Sequence, residues 1–167
     1  VGEKLAQDLE TAGGFEQTLK ESAQQSETRL LLKAARTAGT LYAGYLGCPP
    51  EKPLFYVKRL YLLDGEPLSL EEAYVPQDLV PNLPDVDLNV FTLHQVYAFY
   101  GIRLARGEQS LSISRLDPSE ARLLDAEPHW GVLTLQCVNY DDSGRAVEFT
   151  RTHIRGDKCE LNVHFHR

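Results

Sequence analysis

The chain is 167 residues long, 43% apolar and 25% charged, with 24 acidic against 17 basic side chains and a formal charge of −7. That length fits one globular domain with a short arm at most, and the composition excludes a disordered or collagen-like chain. The acidic balance argues against direct capture of a nucleic-acid backbone, and no apolar run reaches the roughly 20 residues that span a bilayer.

Residues 1–12 read as a short polar helix or an arm ending at Gly13-Gly14, and residues 16–28 as a polar surface loop or weak helix. The chain opens on Val1 rather than Met, which reads as a fragment of a longer protein. Residues 29–36 suit a buried strand. Leu41, Tyr42, Tyr45 and Leu46 recur at helical spacing before Gly47, a natural stop. Residues 53–63 and 67–75 flank Asp64-Gly65, which predicts a hairpin. Residues 76–90, with Pro76, Pro81 and Pro84, form a connecting loop.

A helix is expected over 91–100, with Leu93, Val96, Tyr97 and Tyr100 on one face and Gly101 as its stop. Residues 102–115 alternate as a long strand. Asp117-Pro118-Ser119-Glu120 supplies a cap, a first-turn proline and a capping-box acid for a short helix ending near Asp125. Strands follow at 132–140 and 145–155, around the turn Asp141-Asp142-Ser143-Gly144, and at 158–166. Strands joined by hairpins imply an α+β fold, an antiparallel sheet with helices covering one face.

The most informative side chain is on the first hairpin. Phe55, Val57, Arg59, Tyr61 and Leu63 share a face of their strand, so Arg59 is a guanidinium among apolar neighbours. It needs an anion, either a nearby Glu in a structural salt bridge or a ligand carboxylate or phosphate. A two-residue turn at Asp64-Gly65 would bring Glu72 opposite Arg59. A three-residue loop with Gly65 in the bulge position would bring Glu71. Glu148 is a further acid on a partly apolar face, with Ala146, Thr150, Thr152 and Ile154.

Other candidates carry less. His164 and His166 share a strand face but have no third ligand, so no metal is expected. Ser110, Ser112 and Ser114 fit a solvated face, and no Walker, GxGxxG or GxSxG pattern is present, so no cofactor is implied. The sparse cysteines Cys48, Cys137 and Cys159 have no CxxC spacing, which suits a reducing, cytoplasmic setting.

Taken together, RLYLLDGEPLSLEEAYVP (59–76), FTLHQVYAFYGI (91–102), LLDAEP (123–128) and VNYDDSGRAVEFTRTHIRGDKCEL (138–161) resemble the UTRA domain. This is the effector-binding part of GntR-type, HutC-subfamily bacterial transcription regulators. The resemblance runs from about Leu9 to Val163 and implies a chorismate lyase-like fold. It implies a domain over 13–167, residues 1–12 as the tail of an interdomain linker, and a DNA-binding winged helix-turn-helix domain before it. Family members that bind sugar phosphates use an Arg-x-Arg pair on the first hairpin strand; Arg59 matches the first and Tyr61 stands at the second. The family's hairpin acid falls on Glu71, which selects the three-residue turn. Its helix-start Ser/Thr and Tyr fall on Thr92 and His94, its late acid on Glu148, and a late Tyr on Ile154. Its glycine-rich start falls on Gly13, Gly14 and Phe15.

With one Arg and two Tyr replaced, fewer donors remain for a phosphate dianion. His94 and Thr92 at a helix start offer donors to an anion, with help from the amides there. The implied function is non-enzymatic: a small polar, anionic effector sensed by a homodimer, with DNA bound only through the winged domain and no membrane partner. Strands 29–36 or 158–166 are candidate dimer seams. A chorismate lyase-like enzyme is the alternative on this fold, but it needs an Arg where Glu71-Glu72 stand. A bare dimerisation module is a third reading.

Overall fold

The Asp64-Gly65 turn organises the sheet. The computed structural model describes residues 4–8 and 25–165. Strand β3 (Pro53–Leu63) and strand β4 (Glu66–Pro76) form the hairpin. Asp64 and Gly65 both have positive φ, 51° and 80°, as a two-residue turn of the primed type demands. Leu63 faces Glu66 and Leu62 faces Pro67, but Tyr61 faces Ser69, so Leu68 is a bulge. The expectation of a three-residue turn is therefore corrected. The loop has two residues, and the bulge, not the turn, shifts the register so that Glu71 faces Arg59.

Around this hairpin the main sheet is antiparallel and six-stranded, in the order β2-β3-β4-β7-β6-β5. Its other strands are β2 (Ser26–Thr37), β5 (Leu104–Arg115), β6 (Gly131–Asp141) and β7 (Ala146–Ile154). Residues 26–28, read from sequence as loop or weak helix, thus belong to a strand, pairing with residues 61–63. Strand β5 is an edge, and its residues are solvent-exposed on both faces except at Leu104 and Ser114, which are half-buried.

Two further expectations change. The 1–12 segment is not helical where it is described: β1 (Leu5–Asp8) pairs in parallel with β8 (Cys159–Asn162) as a separate two-stranded sheet. The last strand therefore covers 159–162 rather than 158–166 and is no edge of the main sheet. Helices also cover both faces of the main sheet, not one. On one face, α2 (Leu93–Phe99) packs with the 76–90 loop on Phe55, Val57, Ala73 and Val75, while Leu5 and Leu161 pack beside Tyr61 and Ile154. On the other, α1 (Gly39–Leu46) covers Leu54, Tyr56, Tyr74 and Phe149, and α3 (Pro118–Leu123) covers Leu60, Leu62 and Leu70. Central strands buried on both faces explain why 53–63 reads as an almost unbroken apolar run rather than an alternating one.

Helix ends follow their sequence signals. Gly47 closes α1 in the left-handed region, where a residue with a Cβ is strained. Thr92 and Asp117 cap α2 and α3 with complete capping boxes to Gln95 and Glu120.

Candidate functional site

The β3–β4 register puts Arg59 and Glu71 side by side, with Thr152 of β7 next in the row. Arg59 is 1% exposed, and its Nη2 donates to Glu71 Oε1 at 3.1 Å. Tyr61 OH donates to the same oxygen at 3.2 Å. The structural salt bridge expected from sequence is therefore formed, in a setting where desolvation makes an ion pair costly without further hydrogen bonds. Ser69 Oγ, on the same face, is buried and makes no hydrogen bond among the described residues.

Toward the far end of β7 on this face lies Glu148, 2% exposed. Its Oε1 accepts from Asn139 Nδ2 at 2.9 Å and lies 3.5 Å from His94 Nε2. Its Oε2 accepts from the Tyr97 hydroxyl. Burial alone would raise the carboxyl pKa, but His94, Tyr97 and Asn139 together outweigh it and hold the acid below its ordinary value. Glu148 is thus a buried carboxylate, while burial and that charge push the Tyr97 phenol well above its usual range.

The two acids share one neighbourhood. The Tyr97 phenol feels Glu148, Arg59 and Glu71. Burial first, then the charges of Glu148 and Glu71, push the Cys137 thiol up to about 12, so it stays protonated and inert. Between the acids the facing row is Ala73 on β4, Thr150 on β7 and Cys137 on β6, all small side chains.

The structure thus brings Arg59, Tyr61, Glu71, His94 and Glu148 to one sheet face under α2. Thr92 is placed differently: its Oγ1 accepts from Gln95 N–H at 2.9 Å, and its own N–H donates to Gln95 Oε1. The capping box thus engages the Thr92 and Gln95 amides at this helix start. Gly13 and Gly14 lie outside the described residues, as do Phe15 and His166; His164 is exposed. Sequence reasoning missed Tyr97 and Asn139 as site residues. Both had a signal: Tyr97 lies three residues after His94 on one helix face, and Asn139 faces Glu148 across the hairpin.

One glycine matters here. A Cβ on Gly107, in edge strand β5, would lie 2.7 Å from Asn139 Oδ1. A Cβ there would require the Asn139 amide or β5 to move, and Asn139 is the side chain that reaches Glu148.

The UTRA domain model matches residues 21–160. An uncharacterized HTH-type transcriptional regulator of Rhizobium meliloti (strain 1021) is 28% identical over 150 residues, covering 89% of this chain and 62% of that protein. The HTH-type transcriptional repressor PhnF of Mycolicibacterium smegmatis is 25% identical over 154 residues, 92% of this chain and 63% of that protein. The chain therefore spans less than two thirds of these relatives. The crystal structure of the PhnF effector domain from Mycobacterium smegmatis superposes with a TM-score of 0.91 at 25% identity, covering 97% of this chain and 99% of that one. The sheet and its helices are those of the chorismate lyase-like fold. The chain belongs to the UTRA family, and it is homologous to the effector domains of GntR-type helix-turn-helix transcription regulators.

Proposed function

We propose that this domain binds a small polar metabolite, carrying an acid and hydroxyl or amine groups, on the sheet face that holds Arg59, Glu71 and Glu148. Occupancy shifts a homodimer between states that differ in DNA binding by a winged helix-turn-helix domain, in the cytoplasm. The observation that carries this reading is the buried Arg59 paired with Glu71, with the buried Glu148 farther along the same face of an effector-type domain. Arg59 meets the ligand's acid; Glu71 and Glu148 accept from its donors, and Tyr61 and His94 orient it. A bare polyanion fits poorly, because the carboxylates repel it. Gly13, Gly14 and Thr92 remain proposed ligand contacts by the family resemblance. The lyase alternative gains no support: the relatives are regulators, and acids stand where the enzyme needs its Arg.

Native mass spectrometry of the protein purified from its source host tests this directly. A retained small molecule is expected, lost on replacement of Arg59; a molecule retained equally by both forms overturns the site.

The dimer rests on the edge strand β5. It is twelve residues long, holds no proline, and exposes Leu111 and Ile113. Such an edge invites strand pairing, and two copies meeting about a twofold axis would join their sheets. Of the sequence-named seams, 29–36 lies in the opposite edge strand and exposes Leu32, and 159–162 pairs with β1. Sedimentation at micromolar concentration is expected to give twice 18.8 kDa, and Ile113→Lys to give the monomer. A wild-type monomer across that range refutes the dimer.

A further inference from the structure

On the sheet face opposite Arg59, side chains from three elements converge between α1 and α3. Glu72 stands on β4, His153 on β7 and Glu120 in α3, and each offers a ligand atom within 4.8 Å of the other two. Each is anchored by a neighbour. The α3 capping box holds Glu120 Oε1 at 3.4 Å from Asp117 N. Thr134, facing His153 across β6, hydrogen-bonds its Nδ1 at 2.9 Å, which turns Nε2 toward the carboxylates. Tyr56 OH donates to Glu72 Oε2 at 2.7 Å. Supporting partners of this kind, one per ligand, are what fix the tautomer and aim of metal-binding side chains.

His153 Nε2 and Glu120 Oε2 are 3.3 Å apart, a separation that either an ion pair or two ligands of one ion can hold. Two ligands each about 2.0–2.1 Å from one tetrahedral ion stand about 3.3–3.4 Å apart. Lys58 and Arg151 flank Glu72 in register, but Arg151 is engaged by the Tyr42 hydroxyl at 3.1 Å.

We propose that Glu72, Glu120 and His153 bind a divalent transition-metal ion of the zinc class, with water in the remaining position. One imidazole and two carboxylates suit zinc rather than calcium or magnesium, which take oxygen alone. The ion clamps α3 to β4 and β7. It also stiffens the strand whose preceding residue, Glu71, faces the effector site on the other side. The sequence held no sign of it, because its three ligands lie far apart in the chain and meet only through the sheet register.

The chain, stripped with chelator and dialysed, is titrated with Zn²⁺ by calorimetry and with Co²⁺ by visible absorption. One equivalent is expected to bind, with a Tm rise on Zn²⁺ addition. His153→Ala and Glu120→Gln each lower affinity about tenfold or more, and His164→Ala leaves it unchanged. Glu120→Gln keeps the capping acceptor, so it decides the matter if His153→Ala fails to fold. Binding no tighter than millimolar, or affinity unchanged by Glu120→Gln or lost with His164→Ala, overturns the site.

Discussion

Replacing Arg59 by alanine is expected to cost about 2–5 kcal/mol of effector binding, the usual loss when one partner of a buried charged contact is removed. Calorimetry with the metabolite released from the wild-type protein measures it. The substitution also leaves the half-buried Glu71 without its guanidinium, so Arg59→Ala should destabilise the fold by about 3–5 kcal/mol at most. The two effects separate in the double variant Arg59→Ala/Glu71→Gln. Removing the stranded charge restores part of the stability, while the effector's anion still has no partner. Recovery of both together, or a folded Arg59→Ala that binds with unchanged affinity, returns Arg59 and Glu71 to a purely structural ion pair.

The second large effect belongs to Glu148. Glu148→Ala leaves the Tyr97 hydroxyl and the Asn139 amide without their shared acceptor in the interior, and about 2–5 kcal/mol of stability should go with it. The isosteric Glu148→Gln isolates the charge. Because the folded-state pKa of Glu148 lies below its unfolded value, its contribution is fully present above the unfolded glutamate pKa of about 4.3 and is lost as pH falls through the folded value. Denaturant unfolding of the wild type should therefore weaken more steeply with acid than that of Glu148→Gln. Parallel curves for the two proteins across pH 3–7, a window of about that width around the carboxylate range, refute the ionised, hydrogen-bonded assignment.

Nearly every element of the main sheet and all three helices were legible, because each carries a local signal. The hairpin is announced by Asp64-Gly65, α3 by Asp117-Pro118-Ser119-Glu120, and α1 by its apolar spacing and Gly47. What was not legible depends on pairings between distant segments. The Leu68 bulge has no marker in the hairpin's sequence, so the turn rules left Glu71 and Glu72 open, and the family resemblance gave the right partner, Glu71, with the wrong loop length. The pairing of β1 with β8 joins the two ends of the described chain, and four polar-to-apolar residues near a terminus do not reveal a partner some 150 residues away. At the site, the same division holds. Arg59 and Glu148 stood out as charges on apolar faces, whereas Tyr97 read as core because a buried tyrosine shows its polar use only through what its hydroxyl meets.

The bare Cα of Gly107 has a consequence for how the two ends of the sheet communicate. The edge strand and the buried acid are separated by a single side chain, Asn139, and the space that side chain occupies is granted by the neighbour's lack of one. In the proposed dimer, a shift of β5 on pairing with a second copy would reach Asn139 first and then the carboxylate it holds. In the proposed dimer, with the proposed effector site, ligand occupancy and subunit association would be joined over two strands. Gly107→Ala is therefore expected to push the Asn139 amide away from Glu148.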